Sequence, residues 1–151
     1  MNEDKIKRCI KQQRGIELIE IKPHLSKAYM EEAEETLENV FLAKGKWKVI
    51  TSYYACYNAL YSILMRCEIK CEIHDCTLEL IEFFDFEDSE IRYLKKLKED
   101  RIQVRYYLKN LILEDETEVK NFVVKCKTVL NSLDDERVEN IRNKIREIMG
   151  S

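Results

Sequence analysis

Between Gly45 and Gly150 the chain holds neither glycine nor proline; the only other breakers are Gly15 and Pro23. So long a stretch without a residue that frees or locks the backbone is nearly all helix. The first helix is expected from about Asp4 to Ile21, ending ahead of Pro23. The second, from about Ser26 to Ala43, sets Tyr29, Ala33, Leu37, Val40 and Phe41 on one side, and Gly45 closes it as a C′ residue. The third, from about Lys46 to Arg66, aligns Ile50, Tyr53, Tyr54, Tyr57, Leu60, Tyr61 and Leu64, the most aromatic stripe of the set.

Leu78, Leu80, Ile81 and Phe84 mark a short fourth helix, and Asp85 to Ser89 is a polar break. A helix from about Glu90 to Leu113 follows. The acidic run Glu114-Asp115-Glu116-Thr117 then opens a long element, favourable against the helix dipole, in which Val119, Phe122, Val123, Cys126, Val129, Leu130 and Leu133 keep the helical period. Asp134-Asp135 restarts a final helix carrying Val138, Ile141, Ile145 and Ile148. Short connections make neighbours antiparallel, so the expectation is an all-α, up-and-down antiparallel helical bundle. It is read as one domain over 1–151, with a core at about 26–133, an N-terminal helix at 4–21 and a C-terminal helical tail at 134–149.

A net charge of −3 gives no basic field to hold bulk DNA or an anionic membrane surface, so any nucleic-acid contact must be local. No apolar run approaches the length of a membrane span, and the opening residues lack the apolar core of a signal peptide, so a cytoplasmic address is expected. In that compartment the six cysteines read as reduced thiols, with Cys56 and Cys126 on core faces. Cys67, Cys71, His74 and Cys76 are potential zinc ligands, but structural zinc sites split their ligands into two spaced pairs and this cluster has no second half. His74-Asp75-Cys76-Thr77 reads instead as a helix entry with Asp75 as N-cap. His24 reads as an exposed turn residue. No metal and no cofactor are expected.

Arg101 is the residue that asks for an explanation. Leu94, Leu97, Val104 and Leu108 lie three, four or seven positions from it, on the same helical face, and Arg105 follows one turn on. A guanidinium keeps its proton, so on a packed face it needs carboxylates, carbonyls, water or an anionic ligand. Two readings are open. Arg101 is either a structural ion pair, with Glu99 and Asp100 close in sequence, or part of a binding site. The tyrosines Tyr53, Tyr54, Tyr57, Tyr61, Tyr106 and Tyr107 read mainly as core and seam, by their packed-helix spacing, ahead of a base-stacking surface.

Three stretches together resemble the HEPN family of small helical, nucleotide-associated domains. They are Tyr29-Met30-Glu31-Glu32-Ala33-Glu34 with Leu37 and Gly45-Lys46-Trp47; Ser52-Tyr53-Tyr54-Ala55-Cys56-Tyr57-Asn58-Ala59-Leu60 leading to Glu72-Ile73-His74-Asp75; and Glu99-Asp100-Arg101-Ile102-Gln103-Val104-Arg105-Tyr106-Tyr107. The resemblance covers about Ser26 to Leu133. It implies a helical bundle that pairs as a homodimer, acts on or binds RNA or nucleotide, and works in toxin-antitoxin or defence modules, often beside a nucleotidyltransferase partner protein. In the nuclease members an arginine is followed after four to six residues by a histidine, both facing a cleft at the dimer seam.

Here Arg101 is followed after four residues by Tyr106, and neither histidine lies in the motif. Metal-independent RNA cleavage needs a base and an acid, and a tyrosine with its ordinary pKa of about 10 is a poor base at neutral pH. The resemblance therefore implies Arg101 and Tyr106 at the catalytic position, and Arg101, Arg105, Tyr107 and Asn58 as the nucleotide- or RNA-binding set, with chemistry better suited to binding than to turnover. The alternatives are an active metal-independent ribonuclease toxin and a non-catalytic homodimeric interaction module.

Overall fold

The structure is a computed structural model that describes residues 2–20, 23–111, 113 and 115–150. Seven α-helices are formed among these residues: α1 (Glu3–Lys11), α2 (His24–Leu42), α3 (Lys46–Arg66), α4 (His74–Glu79), α5 (Asp88–Tyr106), α6 (Glu116–Ser132) and α7 (Asp135–Met149). One 3-10 turn, Leu80–Phe83, extends α4. The two-residue strands β1 (Glu17–Leu18) and β2 (Ile69–Lys70) pair antiparallel, Glu17 opposite Lys70 and Leu18 opposite Ile69. Among the described residues the structure is all-α apart from this ribbon.

The breaker-free stretch gives α3 its place at the centre. Tyr53, Ala55, Cys56, Ala59, Leu60, Ile63 and Leu64 are wholly buried, because α2, α5 and α6 cover it on different sides. Partner pairs fix the directions. Ser26 Oγ donates to the Ser62 carbonyl and Tyr29 meets Tyr61, so α2 and α3 run antiparallel. Arg101 reaches Tyr54 while Val104 joins Val49 and Ile50, so α5 also opposes α3. Lys125 pairs with Glu90 while Phe122 meets Tyr93, so α6 opposes α5. Consecutive long helices thus alternate up and down, as short connections dictate.

Caps follow the expected chemistry at the later helices. Asp115 Oδ1 accepts from Thr117 N at 2.8 Å and Asp134 Oδ1 from Arg137 N at 2.7 Å, each satisfying an otherwise orphaned donor. Glu87 and Glu90 form a capping box at the start of α5. α7 does more than restart the helix. Its Ile141 and Ile145 are wholly buried in the same hydrophobic cluster as Ile6 of α1, and Arg142 Nη1 donates to the carbonyls of Cys67 at 2.9 Å and Glu68 at 2.8 Å, just past the end of α3.

Several expectations are corrected. The first helix stops at Lys11, not near Ile21, a position that itself lies outside the described residues. Arg14 takes a left-handed φ of 64°, and Gly15 turns so tightly that a Cβ there would sit 1.8 Å from the Cys9 carbonyl oxygen. The chain doubles back, Ile16 N–H bonding the Cys9 carbonyl, and enters β1. α5 ends at Tyr106 instead of Leu113, because Leu108 turns left-handed (φ 53°) and Lys109 N–H reaches back to the Gln103 carbonyl. Leu108, expected on the packed face, is consequently 76% exposed. Asp75 does not cap α4; Ile73 holds that position and Asp75 lies in the first turn.

The cysteines also depart from the expected state. Cys9 of α1 and Cys76 of α4 are joined in a disulfide, their Cα atoms 5.7 Å apart because these two short helices lie side by side. Cys56, Cys67, Cys71 and Cys126 are free and buried. With Cys76 committed to Cys9, the Cys67, Cys71, His74 and Cys76 set is not a group of converging ligands, and no metal-holding group of three or more is found among the described residues. None of the described helices is long and apolar enough to cross a membrane.

Candidate functional site

The α3–α5 seam carries the charge that the apolar pattern singled out. Leu94, Leu97 and Val104 are buried, Val104 against Val49 and Ile50 of α3, and Arg101 stands half-buried on the same helix. Its Nη1 donates to Tyr54 Oη at 2.9 Å, and its guanidinium carbon lies 4.9 Å from the Tyr53 ring centroid and 5.5 Å from that of Tyr54. A planar cation on aromatic faces is favourable and needs no carboxylate. Arg101 Nε is buried without a hydrogen-bond partner, so the ring faces stand where an acceptor would otherwise be required.

The neighbouring carboxylates are spent elsewhere. Glu99 Oε1 accepts from Gln103 Nε2 at 2.9 Å, and Asp100 pairs with Lys96 at 3.4 Å. Among the described residues Arg101 forms no ion pair. The structural-pair explanation therefore lacks its partner, and a guanidinium carries more N–H donors than the one given to Tyr54.

A second element enters the same seam. His74, read from the sequence as part of a helix entry, is the first residue of α4 and lies half-buried against α3. Its Nδ1 is 2.8 Å from Tyr53 Oη, and its ring stacks on Tyr57 with centroids 4.2 Å apart and planes 13° from parallel. Tyr57 Oη in turn meets Thr77 Oγ1 at 3.2 Å. Tyr53 thus carries Arg101 on its ring and His74 on its hydroxyl. Asp75 pairs with Lys98 of α5, which ties α4 to the helix that bears Arg101.

The electrostatics follow from this placement. Burial, together with the positive charges of Arg101 and Lys98, holds the His74 pKa below its ordinary 6.5. The hydrogen bond from Lys98 draws Asp75 below the usual carboxylate value. Burial raises the hydroxyl pKa values of Tyr53 and Tyr57 above the ordinary tyrosine range. At neutral pH the seam therefore holds a cationic fork, a neutral imidazole and protonated phenols.

Of the residues proposed from the sequence, Arg101 is at the centre. Asn58 is half-buried on α3, one turn beyond Tyr54. Arg105, expected on the Arg101 face, is exposed in the last turn of α5. Tyr106 and Tyr107 are exposed at the helix end, 63% and 67%, and make no ring contact with the Arg101 cluster among the described residues. Tyr53 and Tyr61 fill the core as their spacing implied, Tyr57 is half-buried, and Tyr54 is exposed. His24 is exposed at the start of α2. Sequence reasoning noted His74 only as a potential zinc ligand and a helix entry and missed its place beside Arg101, since the tyrosines that seat it belong to another helix. No protein-family model matches the chain, and no curated protein is similar to it.

Proposed function

We propose that the Arg101 face of α3 and α5 binds a phosphate-bearing ligand, a nucleotide or single-stranded RNA, as part of a HEPN-type protein of a toxin-antitoxin or defence module. One observation carries this reading: a half-buried guanidinium with no carboxylate partner among the described residues, laid over two tyrosine rings. Such a fork matches two phosphate oxygens, and the partly exposed Tyr54 ring beside it offers a face to an unpaired base. Arg105, Tyr106 and Tyr107, exposed at the end of α5, extend the contact along a strand, and Asn58 borders it on α3. The partners are a second copy of this chain and a nucleotidyltransferase protein. Titration of labelled single-stranded RNA and of nucleotides tests the site. Saturable binding that Arg101→Ala abolishes is expected; equal binding by that variant overturns the proposal.

A second reading, a homodimeric interaction module without ligand, is favoured by the exposed apolar side chains of Trp47, Tyr106, Tyr107 and Leu108. It predicts a dimer by light scattering that Arg101→Ala weakens, with no nucleotide affinity.

A further inference from the structure

Six of the nine large apolar or aromatic side chains exposed among the described residues stand at one end of the bundle: Phe41, Leu42, Trp47, Tyr106, Tyr107 and Leu108. α2 ends there and α3 begins there, and Val104, packed on Val49 and Ile50, brings the end of α5 beside them. Apolar side chains gathered in this way mark an interaction surface, whereas scattered ones need no explanation. The densest part is the corner between α2 and α3, where Phe41, Leu42 and Trp47 fall within seven residues of sequence.

The charge at this corner has one sign. No acidic residue stands between Glu38 and Glu68, whereas Lys44, Lys46 and Lys48 occupy alternate positions. Lys48 pairs with Glu116, and Asp115 is taken up in capping α6. Lys44 and Lys46 are exposed and form no ion pair among the described residues, and Lys46 Nζ lies 5.3 Å from the centroid of the Trp47 ring. We propose that this corner docks on the surface of an anionic phospholipid bilayer, its apolar side chains entering the headgroup boundary and its lysines meeting lipid phosphates and carboxylates. The proposal is independent of the Arg101 reading, since Tyr54, the partner of Arg101, lies about two helical turns along α3 from Trp47.

Three features select lipid over other occupants. Leu42 is 78% exposed and has nothing to pair with in a nucleic acid, but gains from leaving water at the acyl boundary. Trp47 already carries the Lys46 ammonium over its ring, so it is no open platform for a base, whereas an indole with a cation beside it suits the headgroup layer. Lysine is depleted at protein–protein interfaces, yet two exposed lysines sit among these three side chains. The net charge of −3 gives the molecule as a whole no pull toward such a surface. The local charge does, and repulsion of the acidic remainder turns this end toward the lipid.

Trp47 is the only tryptophan of the chain, so its emission reports on this corner alone. The full chain is mixed with vesicles of phosphatidylcholine, with or without about a third of phosphatidylserine, in about 0.15 M salt. A blue shift of Trp47, quenching by lipids brominated on the acyl chain, and co-sedimentation are expected with the phosphatidylserine vesicles, and binding about tenfold weaker or less with phosphatidylcholine alone. Lys44→Glu combined with Lys46→Glu is expected to weaken binding about twentyfold or more, and Leu42→Ser about tenfold. Arg101→Ala is expected to bind vesicles within about twofold of the parent. No shift of Trp47 with anionic vesicles overturns the proposal and leaves the Arg101 reading standing. Co-sedimentation without that shift overturns it too, because another face would then hold the lipid, as does equal binding by the double lysine variant. A shift that grows with chain concentration in the absence of lipid, with a doubled mass by light scattering, assigns the corner to a second copy and overturns it. A shift given by single-stranded RNA and not by vesicles assigns it to nucleic acid, with the same consequence.

Discussion

Arg101 and Tyr54 are joined by a 2.9 Å hydrogen bond from guanidinium Nη1 to phenolic Oη, across the gap between two antiparallel helices. The same fork lies over the Tyr53 ring, so a single side chain links an exposed tyrosine to a wholly buried one. Charge and planarity make separate contributions here. Arg101→Lys keeps the charge and loses the fork and the stacking, and is expected to weaken RNA binding about tenfold and to cost about 1 kcal/mol of stability. Fluorescence titration and urea unfolding check the two effects. A lysine variant that binds as well as the parent would show that charge alone suffices.

Glu79 is a buried carboxylate, with Lys5 of α1 at 3.0 Å and Lys95 of α5 at 3.6 Å. Both lysines are partly exposed and rehydrate when released, so the loss falls mainly on the tie between helices. Glu79→Gln is expected to cost about 1–3 kcal/mol in denaturant unfolding. Hydrogen exchange should rise in α1 before it rises in α3. Unchanged protection of α1 would assign that helix's attachment to packing and the disulfide alone.

Acid should destabilise the protein in two separate steps. The folded pKa of His74 lies below its ordinary 6.5, so as pH falls through 6.5 the unfolded chain gains a proton that the native state refuses; stability drops until the folded pKa is passed. Asp75, held below 3.8, contributes stability that is present above 3.8 and is lost as pH falls through its lower folded value. Urea midpoints at pH 7.5 and 5.5 should differ in the parent chain, and the difference should shrink in His74→Asn. Equal differences in both would remove His74 as the source.

The Cys9–Cys76 bond closes a loop over a sequence separation of 67 residues, and cross-links of that span contribute about 2–4 kcal/mol by restricting the unfolded chain. Reduction is expected to lower Tm while the helical spectrum at room temperature persists. The other thiols should resist a water-soluble disulfide reagent in the native state, since burial pushes Cys67 up to about 12 and raises Cys56, Cys71 and Cys126 as well. Rapid labelling of any of them in the folded chain would contradict this.

α2, α3, α6 and α7 were legible because their burial repeats with the helical period, and α6 and α7 carry ordinary aspartate caps; Gly45, expected to close α2, instead stands at the N-cap of α3. The ends of α1 and α5 were not. Gly15 stops the first against a carbonyl that belongs to the same turn, and Leu108 ends the fifth in a left-handed conformation that no glycine announces. Arg101 could be found because a fixed charge on an apolar stripe breaks the pattern. Arg105 has the same helical phase within part of a turn, yet it lies where α5 is running out, and phase does not report where a neighbour stops. The spacing around His74 suggested a metal ligand or a helix entry and not this site; its seat is made by Tyr53 and Tyr57, and only the folded chain brings them to it. The cysteine expectation failed for a similar reason, since Cys9 and Cys76 meet only through the contact of α1 with α4, which the pattern of neither helix announces.

Arg142 closes two carbonyls beyond α3, and Ile141 and Ile145 seal the space beside α1. A chain shortened to end at Leu133 would strand those carbonyl dipoles and flood the Ile6 niche with water, so the smallest portion able to stand by itself must run through its terminal coil.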